Sequence, residues 1–472
     1  MQRRFLACSA FFLSILAAGC HSGSPTGATQ TDSITQMREQ LADSVKQEFT
    51  YAWEQYVRNA WGHDALKPIS HSYYDWYSHP LLMTPLDGFD TMLLMGLKSQ
   101  ADSAKTFLLD SLRFDEDISV SGFEVTIRML GGLLSAYEMD GDKRFLKLAV
   151  DLAGRLIKAF DTPTGIPYRF INLKTGKATG NLTNPAEAGT MLLEYGTLTA
   201  LTGDSLYYKT AKRAVEAIYS RRSKKTGLVG SQIDVMTGVW VDRESSISGG
   251  TDSYYEYLLK AWKLFGDEDC KGMWDSSILA INRHLADTSK GMLWYGRAEM
   301  DTGIINRPLY GALDAFFAGM LAMGGDTIRA IALQKSNYKM WTSADLEPET
   351  LNYRTMRITD GYYALRPENL ESCYYLYQYT RDPAYLSMGA EMFRSLVRYC
   401  RTEGGYAAIK DVRNMVPDDL MESYFLAETL KYAYLLFAPE HTLDFSEVVF
   451  NTEAHPFRRH PSSTSPDGSP KT

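Results

Sequence analysis

Six acidic residues recur near the starts of helical patterns: Glu124, Glu187, Asp252, Asp314, Glu368 and Glu422, with gaps of 63, 65, 62, 54 and 54 residues. Any one of them needs no chemical explanation, because the helix macrodipole favours a carboxylate in a first turn. Several brought to one mouth would repel and raise one another's pKa, so a cation, an arginine or a hydroxyl-rich ligand is expected among them. Local spacing narrows the choice. Glu124 and Arg128 are four apart on one helix face, so the arginine can orient the carboxylate. Asp252 and Glu256 repeat that spacing with two acids, and Glu368 and Glu371 are three apart. Such pairs are unfavourable unless they hold a metal, its waters or a ligand. Near the end of the chain, Glu447-Val448-Val449-Phe450 reads as a short strand that stops on Asn451-Thr452-Glu453, with Pro456 unable to extend the ladder. Thr452 can offer both its hydroxyl and its carbonyl to Ca²⁺, and Glu453 adds a carboxylate.

Paired carboxylates without a nucleophilic Ser or Cys motif suit glycoside hydrolysis, in which one acid protonates the leaving oxygen and another activates water. No HExxH, GxSxG, GxGxxG or P-loop pattern supports a competing chemistry. A formal charge of −8 argues against nucleic acid as a partner.

These residues need helices to position them. The pattern alternates helix, turn, helix and long loop, about fourteen helices in all. Met37, Leu41, Val45, Phe49 and Trp53 give a first helix over Ile34 to Ala60, and Thr84-Pro85 reads as a cap followed by proline at the first helical position. The loops 161–184, 223–250, 289–307, 347–365 and 401–418 are rich in Gly, Thr and aromatics, and 227–241 can hold a hairpin. A period near 60 suits a helix pair plus a long loop. Seven pairs closed into a barrel would bring the inner-helix N-termini to one mouth. Gly131-Gly132, inside a helical pattern, costs about 1 kcal/mol per glycine and predicts close packing against a neighbouring backbone.

At the N-terminus, Arg3 and Arg4 precede an apolar run too short to span a bilayer, ending Leu16-Ala17-Ala18-Gly19-Cys20. That ending resembles a bacterial lipobox with Cys20 as the acylated residue, so residues 1–20 are expected as a leader and 21–33 as a flexible tether. The expected product is an exported cell-envelope lipoprotein, attached to membrane only through its lipid, with soluble secretion as the alternative. A single domain over 34–457 and a disordered tail over 458–472 complete the organisation, and a monomer is expected. At most one disulfide can form among Cys270, Cys373 and Cys400.

Five stretches then resemble a known family. They are Phe123-Glu-Val-Thr-Ile-Arg-Met-Leu-Gly-Gly-Leu-Leu, Asp252-Ser-Tyr-Tyr-Glu-Tyr-Leu-Leu-Lys, Leu365-Arg-Pro-Glu-Asn-Leu-Glu-Ser, Met421-Glu-Ser-Tyr-Phe-Leu-Ala-Glu-Thr-Leu-Lys-Tyr and Phe450-Asn-Thr-Glu-Ala-His-Pro. Together they are similar to the motifs of the class I α-1,2-mannosidases, glycoside hydrolase family 47. The resemblance implies an all-α fold, an (α/α)₇ barrel plugged by a C-terminal β-hairpin, with a Ca²⁺ and inverting removal of terminal α-1,2-linked mannose from high-mannose glycans or mannan. By position, Glu124 resembles the general acid, Glu368 the general base and Asp252 a third essential carboxylate, and the family leaves open which acid protonates the leaving group. Thr452 resembles the direct Ca²⁺ ligand. Arg128, Glu187, Glu256, Arg366, Glu371, Glu428 and Glu453 match groups that hold Ca²⁺-bound water or sugar, and Tyr424 stands where a stacking Phe is usual. Gly250 replaces an arginine of the endoplasmic reticulum processing enzymes, and Ala318 a usual proline. Gly250, with Gly227-Leu-Val-Gly and Glu194-Tyr-Gly, is closer to the degradation-enhancing mannosidase-like proteins. That keeps open an alternative, a mannose-glycan-binding or surveillance protein with weak or no turnover.

Overall fold

Helices in this chain are of two kinds, and burial separates them. Lys143–Leu156 buries one stripe, Phe145, Ala149, Leu152, Ala153 and Leu156, as a helix lying on a core should. Asp252–Phe265 is buried along almost its whole length, as a helix packed on all sides should be. The computed structural model of the chain describes residues 28–459. It divides after Met37: the first unit contributes the opening turns of the helix Ala28–Asn59, and the unit from Arg38 onward contains the rest.

Among the described residues the helices form seven pairs. The inner members are Met83–Asp87 with Phe89–Leu94, the run 122–140, Pro185–Gly189 with Leu192–Thr202, Asp252–Phe265, the run 313–323, Glu368–Thr380 and the run 425–437. Each is adjacent to the next, and the last meets the first, where the Thr91 hydroxyl donates to the Leu426 carbonyl at 3.0 Å. The outer members alternate with them in the sequence. Inner and outer helices join through a repeated two-residue device. Gly141, Gly203 and Gly266 end inner helices at positive φ, and Asp142, Asp204 and Asp267 then cap the outer helices by accepting backbone N–H bonds. The antiparallel sheets are all of two or three strands; none closes on itself, and they are built mostly from the long loops between outer and inner helices. The hairpin expected within 227–241 is present, with Gln232–Asp234 paired to Trp240–Asp242.

The C-terminal strands Val448–Phe450 and Pro456–Arg458 form an antiparallel hairpin whose residues are buried except Arg458. Pro456 therefore opens the second strand, a position that tolerates a missing N–H, and Arg458 belongs to the hairpin, not to a tail. Two further expectations are corrected. The first helix begins at Ala28, inside the stretch expected as a tether. Thr84 does not cap its helix: its hydroxyl donates to the Asp64 carbonyl at 2.6 Å, and the N-cap is Leu82 in a left-handed conformation. The Asp64 carboxylate, accepting N–H bonds from Leu81 and Met83, supplies the acceptor instead. Cys270, Cys373 and Cys400 are buried free thiols. Among the described residues no helix is long and apolar enough to cross a membrane. The leader and Cys20 lie outside the described residues.

Candidate active site

Each acid-bearing helix starts at the same end of the ring. Ser121 caps the run 122–140 by accepting the Glu124 N–H at 3.3 Å. Asn184 does the same for Glu187 at 2.8 Å, with Pro185 at the first helical position. Asp252 and Glu368 are the first residues of their helices. Two of the inner helices also contain π-turns, Val125–Leu130 and Phe425–Thr429. The first carries Arg128 and the second Glu428, so in both the widened turn bears an inward charged group, a common association of π-turns with sites.

The result is one cavity of about 300 Å³ at the mouth of the ring, the lower end of the range for small-molecule sites. Twelve of the residues expected there line it: Glu124, Arg128, Glu187, Asp252, Glu256, Arg366, Glu368, Glu371, Tyr424, Glu428, Thr452 and Glu453. Asp314 and Glu422, expected in the same ring of acids, do not. Asp314 accepts the Gly311 N–H at 2.9 Å, and Glu422 accepts from the Trp76 indole at 3.0 Å. Phe123, Leu313, Phe316 and Asn184 are among the further wall residues and were missed. Phe123 and Leu313 flank acids in sequence, but apolar residues beside a helix start carry no distinctive signal.

Arg128 is the central cation. Its Nε donates to Glu124 at 3.1 Å, its Nη1 to Glu453, and Asp87 lies 3.7 Å away. Its guanidinium packs over Trp76 and Tyr424 at 5.2 and 5.6 Å. Arg366 is held bidentately by Glu349 at 3.1 and 2.7 Å. Glu256 is paired with Lys260, and Glu187 with Arg169 at 2.9 Å on the rim. Lys260 is four residues from Glu256 and was visible in the sequence, whereas Glu349 and Arg169 come from loops and were not.

The remaining carboxylates are poorly compensated. Burial raises Asp252 to about 7, against a bond from the Ser253 N–H, with Glu256 adding repulsion. Burial likewise raises Glu368 to about 7, with Arg366 opposing, and Glu368 Oε2 has no hydrogen-bond partner among the described residues. Glu371 and Glu428 are raised by burial and by neighbouring acids. Glu453 is raised by burial despite Arg128.

The turn that carries Thr452 is fixed from below. The Asn451 side chain accepts from the Glu453 and His455 N–H groups at 3.0 and 2.8 Å. Its amide donates to Ile127 O and Glu194 Oε1, both at 2.9 Å. The Thr452 N–H donates to the Tyr257 hydroxyl at 3.2 Å. Gly131 and Gly132 admit this turn: a Cβ on Gly131 would lie 2.6 Å from Asn451 Nδ2, and one on Gly132 3.3 Å from His455 Cε1. The close approach expected of the glycine pair is thus made to side chains, those of Asn451 and His455 in the hairpin and of Leu86, not to a backbone.

Among the described residues no group of three or more His, Cys, Asp or Glu forms a ligand set for a metal. The donor chemistry nonetheless fits a hard cation held largely through water. Eight carboxylates (Glu124, Glu187, Asp252, Glu256, Glu368, Glu371, Glu428 and Glu453) line the cavity against two guanidiniums (Arg128 and Arg366), with Thr452 among them. Oxygen donors and a negative surplus are what Ca²⁺ uses.

Comparison with known proteins agrees with this arrangement. The profile of Glycosyl hydrolase family 47 matches residues 48–459. The chain is 36% identical to human mannosyl-oligosaccharide 1,2-alpha-mannosidase IB, covering 94% of this chain and 73% of the relative. It is 35% identical to the human ER degradation-enhancing alpha-mannosidase-like protein 2, covering 92% and 80%. The solved alpha-1,2-mannosidase from Trichoderma reesei superposes with a TM-score of 0.82 at 28% identity, over 89% of this chain and 99% of that one.

Proposed function

Since the chain belongs to glycosyl hydrolase family 47, we propose that it is an inverting, Ca²⁺-assisted exo-α-1,2-mannosidase acting on high-mannose glycans or mannan. The observation that carries this reading is the convergence of the expected acids, from separate helices and the hairpin, on one cavity sized for little more than a sugar and water. In this reading Glu124 donates a proton to the leaving glycosidic oxygen, with Arg128 orienting its carboxylate. Glu368 takes a proton from water, and its unpartnered Oε2 is the free acceptor for it. Asp252, buried as deeply as Glu368, is a third carboxylate beside them. Tyr424 and Phe316 shape the cavity around the sugar ring, and Arg366, fixed by Glu349, presents hydrogen-bond donors to its hydroxyls. Ca²⁺ would be held by Thr452, with Glu187, Glu256, Glu371, Glu428 and Glu453 bonding to its waters. When bound, it supplies positive charge that offsets the acids and orients sugar hydroxyls.

A second reading uses the same cavity to bind mannose-rich glycans with weak or no turnover. Two observations favour it: the similarity to the degradation-enhancing mannosidase-like protein, and the pairing of Glu124 and Glu453 with Arg128, Glu256 with Lys260 and Glu187 with Arg169. Those pairs reduce the number of acids free to hold a cation.

Incubation with α-1,2-mannobiose, with and without Ca²⁺ after verified metal removal, separates the two. The enzyme reading expects mannose release that chelator stops and Ca²⁺ restores, with β-mannose as the first product by proton NMR. Inversion needs carboxyls about 6.5–9.5 Å apart to admit water. α-Mannose appearing first would remove Glu368 from the role of base. Binding by calorimetry without product would establish the second reading.

A further inference from the structure

Behind the cavity floor lies a charged layer that lines no part of the cavity. His455 is fully buried, with Nδ1 2.7 Å from Asp90 Oδ2 and Nε2 3.5 Å from Asp87 Oδ1. The other Asp90 oxygen is 2.7 Å from Lys431 Nζ, which also donates to the Ala454 carbonyl at 2.6 Å. The other Asp87 oxygen accepts from the Ser423 hydroxyl at 2.5 Å and faces Arg128 at 3.7 Å. The layer thus joins the first inner helix, the last inner helix and the hairpin turn. It ends on the guanidinium that holds Glu124 and Glu453.

Desolvating such groups costs several kcal/mol per ion, and a well-packed apolar filling is often as stable or more so. Stability alone is therefore a poor reason for this layer. Its geometry supplies another. The turn from Asn451 to His455 has Thr452 and Glu453 on its cavity side and the Ala454 carbonyl and His455 ring on the other. Both outer contacts end on the layer. Gly131 and Gly132 leave room for the His455 ring, which approaches to 3.1 and 3.3 Å of their added Cβ positions.

We propose that His455 and Asp87 are positioning residues for the reaction: they fix the hairpin turn and Arg128, and so aim Thr452 and Glu453 into the cavity. This rests on the reading of the site as a Ca²⁺-assisted mannosidase. The test compares His455→Gln and Asp87→Asn with Asp267→Asn, which disturbs another buried ion pair, Lys212–Asp267 at 2.5 Å, neither of whose members lines the cavity. For each variant the melting temperature, the Ca²⁺ concentration giving half of the Ca²⁺-induced melting shift, and kcat and KM on α-1,2-mannobiose are measured. Asp267→Asn is expected to lower the melting temperature and leave the other values unchanged. His455→Gln is expected to raise half-saturating Ca²⁺ and lower kcat/KM by about 10- to 100-fold, the usual cost of removing a partner behind a ligand. Asp87→Asn should do the same to a smaller degree, and the double variant should add little to His455→Gln, because both act through one turn. Unchanged half-saturating Ca²⁺ in His455→Gln would overturn the proposal. If that variant does not fold, Asp87→Asn decides by the same criterion, and failure of both to fold assigns the layer to stability and also overturns it. A wild-type protein that responds to neither Ca²⁺ nor mannobiose would instead refute the proposed function.

Discussion

Replacing Gly131 with alanine tests the packing between helix and hairpin at its tightest point. The added Cβ would lie 2.6 Å from Asn451 Nδ2 and 3.1 Å from His455 Cδ2. The amide cannot rotate away cheaply, because it donates to Ile127 O and Glu194 and accepts from two N–H groups of the turn. Overpacking of this kind costs about 1–3 kcal/mol, and each strained hydrogen bond about 1 kcal/mol. Against this, alanine in a helix gains about 1 kcal/mol over glycine. The net expectation is a loss of roughly 2–3 kcal/mol. With an unfolding entropy of about 2.1 cal/mol/K per residue over about 430 ordered residues, that is a fall of roughly 2–4 °C in Tm. The displaced turn carries Thr452 and Glu453, so kcat/KM should fall by about 100-fold, the scale for a 1 Å misplacement in a site. Gly154→Ala is the matched control: it lies in an outer helix, and its Cβ would meet nothing within 4 Å. It should raise Tm slightly and leave activity unchanged. If Gly131→Ala behaves like Gly154→Ala in both assays, the close approach does not constrain the turn and the reasoning fails.

Lys260→Met leaves the buried Glu256 carboxylate without its partner and should cost about 3–5 kcal/mol in denaturant unfolding, most of it recovered by adding Glu256→Gln; equal stability of single and double variants would contradict this. Glu368→Gln should lower kcat by about 10²- to 10⁴-fold with KM changed little, and a KM rise with kcat intact would show that Glu368 binds sugar without acting as a base. In chelator, melting temperature should depend on pH through Asp252 and Glu368, both raised to about 7 when folded. Below about pH 4 both states are protonated; from there to about 7 the unfolded chain releases protons that the folded state retains, so stability falls as pH rises and then levels off. Ca²⁺ should flatten this slope, and a melting temperature that climbs through the same window would be inconsistent with burial of these acids. Finally, Cys20→Ala should move the protein from the membrane fraction to the soluble one if the leader is a lipoprotein signal; an unchanged distribution would exclude the anchor.

The charged residues that line the cavity were legible largely because their information is local. A carboxylate in a first helical turn, an arginine or second acid three or four residues on, and a Thr-Glu pair closing a short strand are patterns of neighbours in the chain; alternation of helix, turn and long loop suited a repeated helix pair, and the family resemblance implied its closure into a barrel. Tertiary structure decided what those residues meet. Asp314 and Glu422 share the helix-start signal of Glu124 and Glu368, yet they turn to Gly311 and Trp76 instead of the cavity. Thr84 has the form of a cap, but the Asp64 carbonyl, 20 residues away, takes its hydroxyl. Arg366 was expected to meet sugar or water; that Glu349, 17 residues earlier in the preceding loop, would hold it was decided by how that loop folds back. Lys431 and His455 lie within two of the family-like stretches, but nothing in the sequence paired them with Asp87 and Asp90. These residues come from the two ends of the chain and meet because the last inner helix closes against the first. Ionic partners are chosen by distance in the closed ring, and only closure sets that distance.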